Sequence, residues 1–280
     1  MTDQKTKSEA FAALHRRAGA FVIPNPWDAG TAKMLAALGY EALATTSAGF
    51  AYSIGRPDAV GAVSRDEALA HARQIVAATE LPVSADLENG YGDDPGTCAE
   101  TIRRAAAAGL VGGSIEDATG RAEDPIYPFE AAVERVRAAV AAARALRFPF
   151  TLTARAENFL HGRPDLEDTV RRLRAFAEAG ADVLYAPGLR SREAIAAVVA
   201  AVAPRPVNVV MGLGLGAAVL SVAELAAMGV KRISLGSALA RAAYGAFLRA
   251  AEEIAGRGTF GFAAEAASFA TIEAMFEART

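Results

Sequence analysis

Two acids stand two residues apart in the run Ser84-Ala85-Asp86-Leu87-Glu88-Asn89-Gly90-Tyr91-Gly92. In an extended segment such residues share a face, so Asp86 and Glu88 are expected to point the same way. A second acidic pair, Glu116-Asp117, closes the run Leu110-Val-Gly-Gly-Ser-Ile-Glu116-Asp117. If the two runs are neighbouring strands, three carboxylates converge. Converging carboxylates repel one another and call for a cation. Oxygen donors without Cys or His suit Mg2+, with Mn2+ as an alternative. The same acids also read as ordinary loop residues, with Asp117 as a helix cap. Arg155, in Thr153-Ala-Arg155-Ala-Glu157-Asn158, could clamp a substrate carboxylate and stabilise developing charge. Its other reading is structural neutralisation of the acids. Small residues at Thr45-Thr46-Ser47-Ala48-Gly49 leave N–H groups and hydroxyls free as an anion nest. Asp58, in Gly55-Arg-Pro-Asp58, is either a partner for metal-bound water or a turn residue.

Other reactive residue types offer less. His15 and His71 fall on helical stretches and read as structural, and His161 follows the fifth strand-like run, either in the mouth or on an exposed loop. Cys98 stands near a helix start, where packing is the plainer reading. The run Met211-Gly-Leu-Gly-Leu-Gly216 lacks the dinucleotide fingerprint and follows a late strand rather than the first. Leu235-Gly236-Ser237 reads as a tight turn with a helix cap before a phosphate site. Only four Lys are present, and Lys5 and Lys7 lie in the N-terminal tail, so a Schiff-base reading rests on Lys33 or Lys231.

The elements that must carry these residues alternate along the chain. Eight short β-rich runs occur at 21–25, 41–46, 82–88, 110–116, 150–155, 181–186, 206–211 and 231–236. Several are apolar almost throughout, as in strands covered on both faces. Ala-rich helical stretches follow each one, with Gly180 and Gly229 just past helix ends and a Ser221/Glu224 capping box. Eight strand–helix units predict a (β/α)8 TIM barrel in the α/β class, with an extra N-terminal helix and a C-terminal helical extension. A doubly wound sheet is the runner-up. Such a barrel gathers its chemistry at the C-terminal strand ends, where the acids, Arg155 and the small-residue loop all fall.

Length and composition set the outer bounds. The chain has 280 residues, a formal charge of −3, one Cys and three His. That accommodates a single barrel domain over residues 1–280, and excludes an intramolecular disulfide framework and a cysteine- or histidine-built zinc centre. The charge gives no bulk attraction to nucleic acid or anionic membrane. No secretory apolar core and no uninterrupted run of 18 apolar residues is present, so a cytoplasmic, non-membrane protein is expected.

The acidic strand end Asp86-Leu-Glu88-Asn-Gly-Tyr-Gly92, with Ile115-Glu116-Asp117 on the next strand, resembles the isocitrate lyase and phosphoenolpyruvate mutase superfamily. The resemblance extends over roughly residues 21–245, with Glu88 where that family usually has Asp. It implies direct coordination of Mg2+ by Asp86, with Glu88, Glu116 and Asp58 acting mainly through metal-bound water. It implies that Thr46, Ser47 and Ala48 grip a substrate carboxylate and that Arg155 contacts the reacting end. The implied substrates are small 2-oxo or 2-hydroxy di- or tricarboxylates, split at a carbon–carbon bond or decarboxylated through an enolate. Two alternatives accompany this: carbon–phosphorus chemistry of the phosphonopyruvate hydrolase or mutase type, and a silent barrel that only binds a 2-oxo acid. The resemblance also implies a homodimer or homotetramer, with helices at about 246–280 exchanged between subunits. One departure stands out. The family's lyases carry a proton-transfer Cys, and the mutase a Lys, in the loop after the fourth strand. Residues 117–127 contain no Cys, Lys or His. Arg is too basic to act as a general acid, so Glu123 and Tyr127 are the candidates left for proton transfer.

Overall fold

The computed structural model describes residues 2–212, 214 and 219–277. Among them, eight parallel strands form one sheet: β1 (Phe21–Ile23), β2 (Leu43–Ala44), β3 (Val83–Asp86), β4 (Gly112–Glu116), β5 (Thr151–Arg155), β6 (Val183–Tyr185), β7 (Val207–Val210) and β8 (Arg232–Ser234). The ladder runs β1-β8-β7-β6-β5-β4-β3-β2, which wraps the sheet around until β1 and β2 face each other. At that last joint Ala44 N–H donates to Pro24 O at 3.0 Å. The Asn25 side chain completes the closure. Its amide donates to Thr45 O at 2.9 Å, and its Oδ1 accepts from the Leu235 and Gly236 N–H groups, each at 2.9 Å.

Helices surround the barrel: α1 (Gln4–Arg16), α2 (Ala29–Ala37), α3 (Ser47–Ser53), α4 (Arg65–Ala77), α5 (Pro95–Ala107), α6 (Phe129–Arg144), α7 (Leu166–Glu178), α8 (Arg192–Val202), α9 (Val222–Ala227), α10 (Ala238–Arg257) and α11 (Phe269–Glu277). Their starts follow side-chain chemistry. Ser64/Glu67 and Ser221/Glu224 form reciprocal capping boxes that satisfy otherwise unpaired helix N–H groups. Gly180 and Gly229 end α7 and α9 with φ of 104° and 86°, a region closed to most side chains. Alanines such as Ala105, Ala106, Ala139 and Ala143 are buried between helices and strands and allow close approach.

The predicted α/β barrel is present, and α1 closes its N-terminal end as expected. Phe11, fully buried, packs with Leu14, Phe21, Ile23, Ala42 and Val111. Burying such a ring contributes about 1.5–3 kcal/mol. A Cβ at Gly112 would stand 2.9 Å from the Phe11 ring, so the glycine leaves room for the plug. Two details differ from the sequence reading. The strands are shorter than the apolar runs, because the ends of those runs serve as turns into the mouth. The small-residue segment after β2 is not an open nest: Thr46 caps α3 by accepting from Gly49 N–H at 3.1 Å. Of the run Met211–Gly216, residues 213, 215 and 216 lie outside the described residues.

Beyond the barrel, α10 extends for 20 residues with only Ala240 buried. The α11 helix lies against α2 of its own chain, with Phe276 beside Gly30. No described helix is long and apolar enough to cross a membrane.

Candidate active site

Asp86 is the last residue of β3, and its carboxylate sits at the centre of the mouth. Its Oδ2 accepts from Ser47 Oγ at 2.9 Å and from Ser47 N–H at 3.2 Å. Its Oδ1 faces Arg155 Nη1 at 2.9 Å. The register explains the meeting. Asp86 pairs with Ser114 on β4, and Glu116 pairs with Arg155 on β5, so three adjacent strand ends deliver acid, acid and guanidinium.

Arg155 is shared among three carboxylates. Nη1 also lies 3.0 Å from Glu116 Oε2, and Nε lies 2.8 Å from Glu157 Oε1. Burial works against its charge, but Glu116, Glu157 and Asp86 overcome that and push its pKa further up. Its guanidinium also lies 5.1 Å from the centre of the Tyr185 ring.

Glu88 does not follow the expected strand alternation. The strand ends at Asp86, Leu87 turns into the core, and Glu88 takes a left-handed φ of 47°. Ala59 and Tyr91, with φ of 60° and 62°, are strained in the same way. Such residues cost about 1–3 kcal/mol each and cluster at functional sites. Burial, then the charges of Asp86 and Asp58, raise the Glu88 pKa to about 7. Burial and Asp86 raise that of Asp58. Burial also drives Glu116 well above the usual carboxylate range, with Glu157, Asp86 and Glu88 adding to the rise against the pull of Arg155.

The four acids are therefore close enough to feel one another, with Arg155 as the cation among them. Among the described residues, no three acid, imidazole or thiol side chains stand close enough to enclose a metal ion. Arg155 and Ser47 engage the oxygens of Asp86 instead. The donor set nevertheless fits a hard divalent cation held largely through water. All donors are oxygen, the four acids share one guanidinium, and burial, with repulsion among the acids, raises the pKa values of Asp58, Glu88 and Glu116, which a divalent cation would offset.

Two cavities open here. A cleft of about 650 Å³ is walled by Glu88, Asn89, Tyr91, Glu116, Gly120 and His161. A smaller cavity of about 160 Å³ is walled by Thr46, Ser47, Asp58, Asp86, Arg155 and Tyr185, with Ala48 also on its lining. His161 thus reaches the mouth. Burial, then Arg155, lower its pKa.

The two residues considered for proton transfer stand elsewhere. Glu123 is exposed on the loop after β4. Tyr127 is 4% exposed and donates to Asp93 Oδ1 at 2.5 Å, while Arg135 stacks 4.0 Å from its ring centre. Neither lines either cavity. Asp117 also turns away from the mouth. It accepts from Glu157 N–H at 2.7 Å and pairs with Arg172 at 3.0 Å, pinning the loop root. Lys231 sits at the opposite end of the barrel, bonded to the carbonyls of Arg17 and Gly19.

Sequence reasoning missed Asn25, Tyr185, Asn208, Arg232 and Ser234, which all line the smaller cavity. Their signal was present. Asn208 is the one polar residue in the run 206–211, and Arg232 and Ser234 alternate with Ile233 and Leu235.

Comparison with known proteins follows the same lines. The phosphoenolpyruvate phosphomutase family matches residues 11–255. An uncharacterised Mycobacterium tuberculosis protein is 32% identical over 229 residues, covering 81% of this chain and 82% of its own. A solved Burkholderia cenocepacia structure of the lyase/mutase type shares 63% identity with a TM-score of 0.94, covering 99% of this chain and 97% of that one. A structure of oxaloacetate acetylhydrolase with its product oxalate has a TM-score of 0.87 at 27% identity, covering 98% and 95%.

Proposed function

The chain belongs to the phosphoenolpyruvate mutase and isocitrate lyase superfamily, without the lyase cysteine loop, and from this we propose a Mg2+-dependent enzyme that cleaves a carbon–carbon bond. Its substrate is a small 2-oxo or 2-hydroxy di- or tricarboxylate, split by retro-aldol chemistry or decarboxylated through an enolate. The observation that supports this most directly is Asp86, held between Ser47 and Arg155 in a surplus of buried carboxylates.

In this reading Asp86 would hold the cation directly, and Glu88, Glu116 and Asp58 would hold it through water, with Mn2+ as an alternative ion. When bound, the cation withdraws electron density from the substrate's oxo or hydroxy oxygen. The chain does the rest. Thr46, Ser47 and Ala48 position the substrate carboxylate at the start of α3. Arg155 faces the reacting end and balances charge as it develops. The acids and Tyr185 wall the site from bulk water. His161 moves the proton, since it reaches the cleft while Glu123 and Tyr127 do not. The exposed apolar face of α10, where Phe247 is 66% and Leu248 55% exposed, fits a homodimer or homotetramer in which α10 packs on a partner subunit.

The test is a substrate series with Mg2+ and, separately, with chelator. It uses oxaloacetate, isocitrate, 2-methylisocitrate and phosphonopyruvate, reading pyruvate, glyoxylate, oxalate and phosphate. Chelator-sensitive release of a carbon fragment supports the reading. Phosphate from phosphonopyruvate alone transfers the site to carbon–phosphorus chemistry. Metal-dependent binding without any turnover identifies a silent binding barrel.

A further inference from the structure

Below the acids, the barrel interior holds a second guanidinium with no part in the scheme above. Arg232 opens β8 and is 6% exposed. Its Nε donates to Asn208 Oδ1 at 2.8 Å, and its Nη2 donates to Thr153 Oγ1 at 2.9 Å. Asn208 in turn donates to Ser234 Oγ at 3.0 Å. These partners are neutral, and Nη1 is buried with no partner among the described residues. Burial lowers the Arg232 pKa to about 10, and the one group that offsets this is Tyr185.

Both arginines wall the cavity of about 160 Å³. Arg155 is engaged by Asp86, Glu116 and Glu157. The charge of Arg232 meets no carboxylate in its hydrogen-bond set. A buried charge without a counter-charge carries an uncompensated desolvation penalty. An anion arriving in the cavity relieves it.

The spacing suits a compact diacid. Thr153, which anchors the Arg232 head, lies two residues below Arg155 on β5. Two residues of strand span about 6–7 Å. One anionic group beside Arg155 and Ser47 and another toward Arg232 therefore fit a four-carbon chain.

We infer that Arg232 supplies the floor charge for a second carboxylate of the substrate, so that the cavity selects 2-oxo or 2-hydroxy diacids over the corresponding monoacids. The inference rests on the cavity being the substrate site. Asn208 is the positioning residue, because it fixes the guanidinium through Nε.

The experiment measures binding of malate and of lactate by calorimetry in the presence of Mg2+. The two share a 2-hydroxy carboxylate head and differ in the distal carboxylate. The wild-type protein is expected to bind malate more tightly. Arg232→Met is expected to weaken malate binding about tenfold or more while lactate stays within about twofold, because one charge-assisted contact is lost. Arg232→Lys keeps part of the preference. Asn208→Asp sets a carboxylate beside Arg232 without opening a hole, and is expected to act as Arg232→Met does; it carries the test if the methionine variant does not fold. Equal loss for both ligands, or no change for either, overturns the inference. Equal binding of malate and lactate by the wild-type protein overturns it and leaves the substrate-site reading standing. Binding of neither removes that reading and the inference together.

Discussion

Arg155 Nη1 lies 2.9 Å from Asp86 Oδ1, and this contact joins the third and fifth strands across the centre of the mouth. It makes Asp86, proposed above as the direct holder of the cation, a member of an ion-pair network. Replacing Asp86 with Ala is expected to abolish Mg2+-dependent ligand binding and to lower turnover by about a hundredfold or more. Arg155 keeps Glu116 and Glu157 in this variant, so the fold should persist. Calorimetry and circular dichroism check the two halves. Unchanged affinity for a 2-oxo acid in a folded variant would remove Asp86 from the site.

Arg155 itself has a larger structural part. Arg155→Met leaves Glu116 and Glu157 buried without their cation. Stability is expected to fall by about 3–5 kcal/mol, as for other broken buried pairs. The loss should shrink as pH falls through about 7, the raised pKa of Glu157, because protonated carboxyls need no partner. Urea unfolding at neutral and acidic pH measures this, and a pH-independent loss would contradict it.

His15 gives a stability prediction at the other end of the barrel. Its Nδ1–H donates to Phe11 O at 2.8 Å, and its ring packs edge-on against Phe11 and Phe21. Burial, then the charge of Arg232, lower its pKa from 6.5 to about 3. Between these values the unfolded chain binds a proton that the folded chain refuses. Stability therefore falls as pH drops below 6.5, by at most about 1.4 kcal/mol per pH unit from this group, and levels off near pH 3. His15→Asn, compared by thermal melts from pH 7 to 4, is expected to have a shallower slope. An identical slope would assign the acid sensitivity to other groups.

Proton transfer separates His161 from Tyr127. His161→Gln is expected to lower kcat with little change in ligand affinity and to remove an ionisation from the pH–rate profile. Tyr127→Phe loses its bond to Asp93 and is expected to cost about 0.5–1.5 kcal/mol of stability with turnover little changed. The reverse pattern would restore Tyr127 as the proton-transfer residue.

The C-terminal helices give a hydrodynamic prediction. Leu248→Glu on the exposed face of α10 is expected to reduce the oligomer to monomer by light scattering, without changing the barrel's circular dichroism. A wild-type monomer would show that this face has no partner copy.

Much of this molecule was legible in its residues. Alternating apolar runs and Ala-rich helices announce the barrel, and the helix ends announce themselves through Ser221/Glu224 and Gly180. Asp86, Glu116 and Arg155 were readable because strand ends in such a barrel converge. The failures have physical reasons. Strand alternation puts Glu88 on the Asp86 face, yet it reaches the mouth through a left-handed turn that a glutamate rarely adopts. Position in the loop makes Tyr127 a candidate, but tertiary contacts with Asp93 and Arg135, 34 and 8 residues away in sequence, decide where its hydroxyl points. Arg232 reads in sequence as one polar residue of the run 231–236, and only packing reveals that its guanidinium has no carboxylate partner.

The Asn25 closure has a further consequence. Every other neighbouring pair of strands is held by a backbone ladder, whereas the first and second are tied through Pro24, Ala44 and one side-chain amide. That makes this joint a seam, the place where hydrogen exchange should enter the sheet first. The same seam carries Thr45 and Gly236, and Thr46 and Ser47 follow directly. On the proposed substrate site, the barrel would open beside the docking position, and a ligand that bridges the two edges would act as the missing rung.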